Sequence, residues 1–184
     1  MSALSLNFAP VPRALTHSQF METFSGVYEH SPWIAQTVWD GGLRERHDDV
    51  DGLAQALADV VDSAGVDKGL ALINAHPDLA GKAAVAGELT AESTTEQSAA
   101  GISQCTPTEF KRFQTMNAQY KRRFGMTFVM AVRFSNRHDI LKAFEQRLQH
   151  EPDEEYRRAI DEIHRIAHWR LQAIAQAQQP EQTQ

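Results

Sequence analysis

His76 is the side chain whose type and position best suit proton-transfer chemistry. It follows the apolar segment from Leu70 to Ala75 and directly precedes Pro77. Proline lacks an N–H group and disfavours the helical conformation in the preceding residue, so we expect the segment to end here. An imidazole can give or take a proton near neutral pH. The residues alone leave two interpretations open, an acid–base group and a hydrogen-bonded structural histidine.

A second polar cluster runs from Ser93 to Gln97, with the sequence Ser-Thr-Thr-Glu-Gln. The spacing of Ser93 and Glu96 is that of a capping box, in which both side chains bond to N–H groups at a helix start. In the alternative interpretation, Glu96 and Gln97 stand at a helix N-terminus, where backbone donors and the helix dipole hold an anion. Both interpretations predict a helix that begins near Ser93.

The helix that ends the chain offers a possible metal pair and a possible buried cation. His164 and His168 are four residues apart, which is a spacing that zinc sites use. Arg165 replaces the glutamate of a His-Glu-x-x-His motif and repels a cation, so two ordinary helix histidines are favoured. We expect no metal and no cofactor. Arg170 lies near the apolar stripe of this helix (Ile163, Ile166, Ala167 and Ile174), which predicts a partly buried cation paired with a carboxylate or a substrate.

Composition excludes several classes of protein. Of 184 residues, 42% are hydrophobic and 23% charged, and the net charge is -6. That charge opposes contact with phosphate backbones, so we expect no nucleic-acid partner. With one cysteine, Cys105, and no apolar run of membrane-spanning length, we expect a cytoplasmic protein without disulfides or membrane contact.

We divide the chain into an N-terminal extension (1–14), a domain (15–175) and a glutamine-rich tail (176–184).

Helix signals along most of the chain predict an all-α fold, with about seven or eight helices in a single compact bundle. Capping residues mark helix starts at Thr16, Thr106 and Asn136. The apolar run at residues 127–132 is ambiguous, because periodicity alone cannot separate a strand from a buried helix. Residues 77–104 have weak periodicity and predict a loose segment.

Four motifs occur together, in one order and at spacings that resemble a known family. They are His76-Pro77-Asp78-Leu79, Ser93-x-x-Glu96-Gln97-x-x-x-Gly101, Phe113-x-x-x-Asn117-x-x-Tyr120-x-x-x-Phe124-Gly125-x-x-Phe128, and Ile166-Ala167-x-x-Arg170-Leu171. Each motif alone is weak, but the set is similar to the 2-oxo-4-hydroxy-4-carboxy-5-ureidoimidazoline (OHCU) decarboxylases of urate breakdown. The resemblance extends from about Leu15 to Leu171.

The resemblance implies an all-α homodimer that forms (S)-allantoin and carbon dioxide from a small-molecule substrate, without a metal or organic cofactor. It implies that His76 is the catalytic histidine and that Glu96 is the carboxylate paired with it. Substrate contacts, partly through the backbone in the stretch from Phe128 to Val132, are implied for Pro77, Ser93, Gln97, Phe128, Val129, Val132 and Arg170. The chain departs from the family pattern at Met126-Thr127, where Phe-Pro is expected and threonine lacks proline's fixed φ.

Overall fold

A computed structural model describes residues 6–81 and 89–179 of the chain. These ranges contain eight α-helices: α1 (His17–Phe24), α2 (Trp33–Asp40), α3 (Val50–Ser63), α4 (Val66–Ala75), α5 (Ala91–Ala99), α6 (Pro107–Phe124), α7 (Arg137–Arg147) and α8 (Pro152–Ala177). Three short 3-10 helices lie at Pro12–Ala14, Glu45–His47 and Ile102–Gln104. The all-α fold class is confirmed. Among the described helices, none combines the length and the apolar character that crossing a bilayer requires.

Local capping explains where several helices begin and end. The predicted N-caps Thr16, Thr106 and Asn136 each accept a hydrogen bond from an N–H group of the first turn, and each belongs to a capping box. These bonds satisfy donors that have no partner inside the helix. At the other end of α6, Gly125 has a φ of 69°, a left-handed conformation that favours glycine. The three predicted helix starts are confirmed.

The described residues form two compact units. The first unit comprises the chain up to Leu72 together with the chain from His164 onward. Phe24 packs within its core against Phe8 and Phe20, with ring centroids 5.2 and 4.9 Å apart. Each large apolar side chain buried in this way contributes about 1.5–3 kcal/mol of transfer free energy.

The second unit runs from Ile73 to Ile163 and contains all but one of the predicted site residues. Its core is aromatic: the ring of Phe128 stacks on Phe144 at 3.6 Å, and Tyr120 meets Phe128 edge-on at 5.2 Å. Burial raises the pKa of Tyr120, whose hydroxyl donates to Glu155. This core supports the segment on which Phe128 lies.

Two local predictions differ from the structure. Residues 127–132 are buried apart from half-buried Met130, but they form neither a strand nor a helix. The predicted loose segment is more regular than expected: it contains α5, the helix that was predicted near Ser93, whose buried residues are Ser93 and Gln97. Because its buried face is polar, α5 leaves no apolar periodicity in the sequence. Residues 82–88 of the predicted loose segment lie outside the described residues.

Candidate active site

His76 stands at the end of α4, as the sequence predicts. The helix ends at Ala75, and the backbone N–H of His76 donates to the Ile73 carbonyl at 3.2 Å. Only 7% of His76 is exposed, and Pro77 directly follows it. The backbone therefore holds the imidazole in a largely water-excluded position, which suits controlled proton transfer.

The loop after His76 is tied to two helices. Gln97 on α5 accepts a hydrogen bond through Oε1 from the N–H of Ala80, at 3.2 Å. Asn117 on α6 donates from Nδ2 to the carbonyl of Leu79 at 2.9 Å. Gln97 and Asn117 are each 5% exposed, so both bonds are shielded from water. The structure thus brings predicted site residue Gln97 against the loop that follows His76.

The helix that carries Glu96 begins earlier than predicted. Thr90 is the N-cap of α5, and its side chain accepts from the N–H of Ser93 at 3.2 Å. Ser93 is therefore inside the first turn, and Glu96 lies one turn further along. Both sequence interpretations are wrong in this respect: Ser93 and Glu96 do not form the capping box, and Glu96 and Gln97 do not stand at the helix N-terminus. Instead, Ser93 and Gln97 share one buried face and Glu96 is half-buried.

Residues 127–132 are a largely buried stretch of irregular backbone, which we call the wall segment. Thr127, Val129 and Val132 are each 4% exposed, and Phe128 is 1% exposed. The Phe128 ring packs in the aromatic core, with the guanidinium carbon of Arg147 4.4 Å from its centroid. Any contact between Phe128 and a substrate therefore falls to its backbone.

Side chains from neighbouring helices form the hydrogen bonds to the backbone of the wall segment that adjacent strands would form in a β-sheet. Buried backbone groups outside regular structure need hydrogen-bond partners, because an unsatisfied group costs about 1–3 kcal/mol. Three helices supply such partners to alternate residues: Asn74 Oδ1 accepts from Thr127 N–H at 2.9 Å, Arg147 Nη1 donates to the Val129 carbonyl at 2.7 Å, and Glu162 Oε2 accepts from Ala131 N–H at 2.8 Å. No sequence motif marks these three residues, because no local pattern links positions so far apart in the chain.

Arg170 belongs to the first unit and is a buried cation, as predicted. It is 7% exposed, and its Nη1 lies 2.9 Å from Oε2 of Glu29, which is 2% exposed. The carboxylate partner that the sequence left unnamed is Glu29. A charge buried this deeply needs such a partner, because desolvation without one is costly.

The two helix histidines, also in the first unit, bond to different carboxylates. His164 lies between the Tyr28 hydroxyl, 2.8 Å from Nδ1, and the Asp62 carboxylate, 3.1 Å from Nε2. His168 Nε2 lies 2.8 Å from Asp51. Within the two described ranges, no group of three or more His, Cys, Asp and Glu side chains is arranged to hold a metal ion. The partners of both histidines support the interpretation as ordinary helix residues.

A cleft of about 600 Å³ lies in the second unit beside α5 and the start of α6. Its lining includes Gln97, Ile102, Cys105 and Phe110. Burial raises the pKa of the Cys105 thiol, which keeps it protonated at neutral pH. Of the predicted site residues, Gln97 alone contributes to this lining. Neither His76 nor Glu96 is among the residues that line the cleft, so we do not assign the cleft to the substrate.

The sequence matches the family model of OHCU decarboxylase over residues 13–172. It is 38% identical to the 2-oxo-4-hydroxy-4-carboxy-5-ureidoimidazoline decarboxylase of Amia calva, with 89% of this chain and 91% of that protein covered. The enzyme of the same name from Halalkalicoccus jeotgali is 36% identical, and the match covers 85% of each protein.

Solved structures agree with these matches. A crystal structure of (S)-allantoin synthase superposes with a TM-score of 0.70 at 27% identity, covering 89% of this chain. This chain spans 52% of that one, about half its length. A structure of OHCU decarboxylase in the presence of (S)-allantoin superposes with a TM-score of 0.65 at 18% identity, covering 82% of this chain and 95% of the other. The second likeness shows a shared fold.

Proposed function

Because the chain belongs to the OHCU decarboxylase family, we propose that it converts 2-oxo-4-hydroxy-4-carboxy-5-ureidoimidazoline into (S)-allantoin and carbon dioxide. The observation that carries this proposal is the family match over residues 13–172, a range that includes every proposed site residue. The product is supported by the names of the similar proteins, among them (S)-allantoin synthase and a uric acid degradation bifunctional protein from Bacillus.

The substrate itself supplies the electron sink that this reaction needs. When the bond to the carboxylate breaks, carbon dioxide leaves and an electron pair remains on the ring carbon. The neighbouring C=N bond of the ring accepts that pair, a task that other decarboxylases assign to pyridoxal phosphate or thiamine. The protein must then orient the ring, exclude water and control where protons go.

We assign the proton transfers to His76 and Glu96, acting on the hydroxyl at the carbon that loses its carboxylate. Removal of the hydroxyl proton lets a carbonyl form there, while one proton is delivered to the adjacent ring carbon and a second to the ring nitrogen that accepted the electron pair. The burial of His76 supports this role, because bulk water would protonate either face of the intermediate. Glu96 near the departing carboxylate also disfavours the substrate anion relative to the transition state.

Substrate orientation is the role we propose for Arg170, Gln97 and the remaining site residues. A guanidinium offers paired donors that suit ureido and carboxylate oxygens. The oxygen of Gln97 accepts from Ala80, which orients its amide N–H₂ group as a donor for a ring carbonyl. Ser93, on the same buried face of α5, and Pro77, next to His76, complete this part of the proposed site. Val129 and Val132 of the wall segment are buried and supply its apolar boundary.

We further propose that the chain acts in the cytoplasm, as its composition suggests, and that it forms a homodimer, as the resemblance implies. Light scattering on the purified protein should give twice the chain mass. A monomeric mass with full activity would reject the dimer and leave the proposed reaction intact.

The reaction is tested by supplying freshly generated OHCU and following carbon dioxide release. We expect carbon dioxide to form in proportion to the amount of protein, with one equivalent of allantoin for each carbon dioxide. Release at the uncatalysed rate, independent of the amount of protein, would reject the proposed function.

A further inference from the structure

One hydrogen-bonded contact joins the wall segment to the helix turn that ends at His76. Asn74 lies in the last turn of α4, two residues before His76. Its Oδ1 accepts from the backbone N–H of Thr127 at 2.9 Å and lies 3.3 Å from the Thr127 hydroxyl. A single side-chain oxygen thus accepts from both the N–H and the hydroxyl of Thr127, the residue at which the wall segment begins.

The backbone of Thr127 needs this contact because of where it lies. Thr127 is 4% exposed and belongs to neither a helix nor a strand, so its N–H requires a partner from elsewhere in the chain. A proline at this position would have no N–H to satisfy and would restrict its own φ. Threonine keeps its N–H and does not restrict its own φ in this way. The hydrogen bonds to Asn74 therefore hold the Thr127 backbone in place.

Two further contacts fix the rest of the wall segment independently. Arg147 donates to the carbonyl of Val129, and Glu162 accepts from the N–H of Ala131. Neither residue lies on α4, so neither relates the wall segment to His76. Asn74 alone among these three residues does so through its own helix turn.

We infer that Asn74 is a positioning residue for the proposed decarboxylation, fixing the start of the wall segment relative to His76. The inference rests on the proposed function of His76 and of the wall segment. Asn74 contacts no reacting atom in this account and acts through Thr127. Because a displacement of about 1 Å in a site can cost about 100-fold in rate, one lost tether is enough to affect the reaction.

Asn74→Ala removes the acceptor and should lower kcat/KM by about 10- to 100-fold. The enantiomeric excess of allantoin should fall with it, because a displaced wall lets the intermediate be protonated on both faces. Asn74→Ala also leaves the buried Thr127 N–H without its acceptor, so the melting temperature should fall by a few degrees, and the kinetics are measured well below the unfolding transition. Gln55→Ala is the matched control, since Gln55 is an exposed helix amide that bonds to Asp59 in the first unit. It should leave both kinetic readouts unchanged.

A double-mutant cycle with Thr127→Pro tests whether Asn74 acts through Thr127. Proline removes both groups that Asn74 accepts, so adding Asn74→Ala to Thr127→Pro should have no further effect. Should Thr127→Pro fail to fold, Thr127→Val replaces it. Valine retains the N–H, so Asn74→Ala should keep most of its effect in that background.

Three results would overturn the inference. The first is an Asn74→Ala variant with the kcat/KM and the enantiomeric excess of wild type. The second is an effect of Asn74→Ala that is equally large with threonine and with proline at residue 127, and the third is an Asn74→Ala substitution that has no effect in the Thr127→Val background. Failure of the proposed function is a different result, because wild-type protein and Gln55→Ala would then both fail to accelerate decarboxylation.

Discussion

Glu29 and Arg170 form an ion pair that is almost completely buried, with 2.9 Å between Oε2 of the carboxylate and Nη1 of the guanidinium. Their side chains are 1% and 7% exposed. The guanidinium is planar and always charged. Because one of its nitrogens is hydrogen-bonded to the buried carboxylate, the pair favours one orientation of the guanidinium plane. A substrate-binding arginine needs donors held in a fixed direction, and Glu29, which accepts from Nη1 of Arg170, is itself shielded from water.

Arg170→Lys should lower kcat/KM by more than tenfold and reduce the enantiomeric excess of allantoin. Lysine keeps the charge beside Glu29 but loses the planar pair of donors to which we assign the orientation of the substrate. Arg165→Ala is the control, because Arg165 is an exposed residue of the same helix. Steady-state kinetics and chiral chromatography of the product measure both effects. If stereoselective turnover were abolished in Arg165→Ala and retained in Arg170→Ala, the assignment of substrate orientation to Arg170 would be wrong.

Glu96→Gln should reduce turnover without lowering the melting temperature. Thr90, not Ser93, caps α5, so Glu96 has no part in a capping box and its charge does not maintain the helix start. Loss of an acid–base group costs about 10²- to 10⁴-fold in rate. The kinetics should be compared with a thermal melt of the same preparation. An active variant with a lower melting temperature would show that Glu96 has a structural role only.

Dialysis against a chelator should leave the decarboxylase activity unchanged. His164 and His168 bond to separate carboxylates, Asp62 and Asp51, instead of converging on one point. Metal analysis of the purified protein is the accompanying measurement. Stoichiometric zinc that is lost together with activity, and restores activity when added back, would contradict this account.

His47 should make the protein less stable in mild acid. Burial lowers the pKa of His47, and the charges of Arg46 and Arg44 lower it further, while Asp48 opposes them. The unfolded chain therefore binds this proton more readily than the folded protein does. The contribution to stability is fully present above the unfolded pKa of about 6.5 and is lost as pH falls from there toward the folded pKa.

His47→Gln should reduce this acid sensitivity, because glutamine does not titrate. Urea midpoints measured at pH 8 and pH 5.5 for both proteins give the comparison. An equal loss of unfolding free energy in wild type and variant would show that His47 is not responsible.

Local rules predicted those parts of the fold that local chemistry determines. Thr106 and Gly125 mark the ends of α6 because capping bonds and a left-handed glycine act within a few residues. The break at His76 follows in the same way from the proline after it. The register of α5 was missed because Thr90 and Ser93 are both good capping residues, and no apolar face distinguishes between them.

Long-range tethers account for what the sequence could not show. Asn117 lies 38 residues from Leu79, whose carbonyl accepts from its amide. The only available signal was a polar residue at core spacing between Phe113 and Tyr120 on α6. The wall segment was ambiguous for the same reason, because periodicity describes side-chain burial and cannot reveal backbone groups held by side chains of other helices.

Whether His76 carries out the proton transfer is decided by the rate and handedness of allantoin formation by wild type and by His76→Asn, at matched folding. We expect an excess of (S)-allantoin from wild type. For His76→Asn we expect turnover reduced by about 10²- to 10⁴-fold, with product that approaches the racemate formed without protein. A folded His76→Asn variant that retains the wild-type rate and the (S) excess would show that His76 is not the catalytic group.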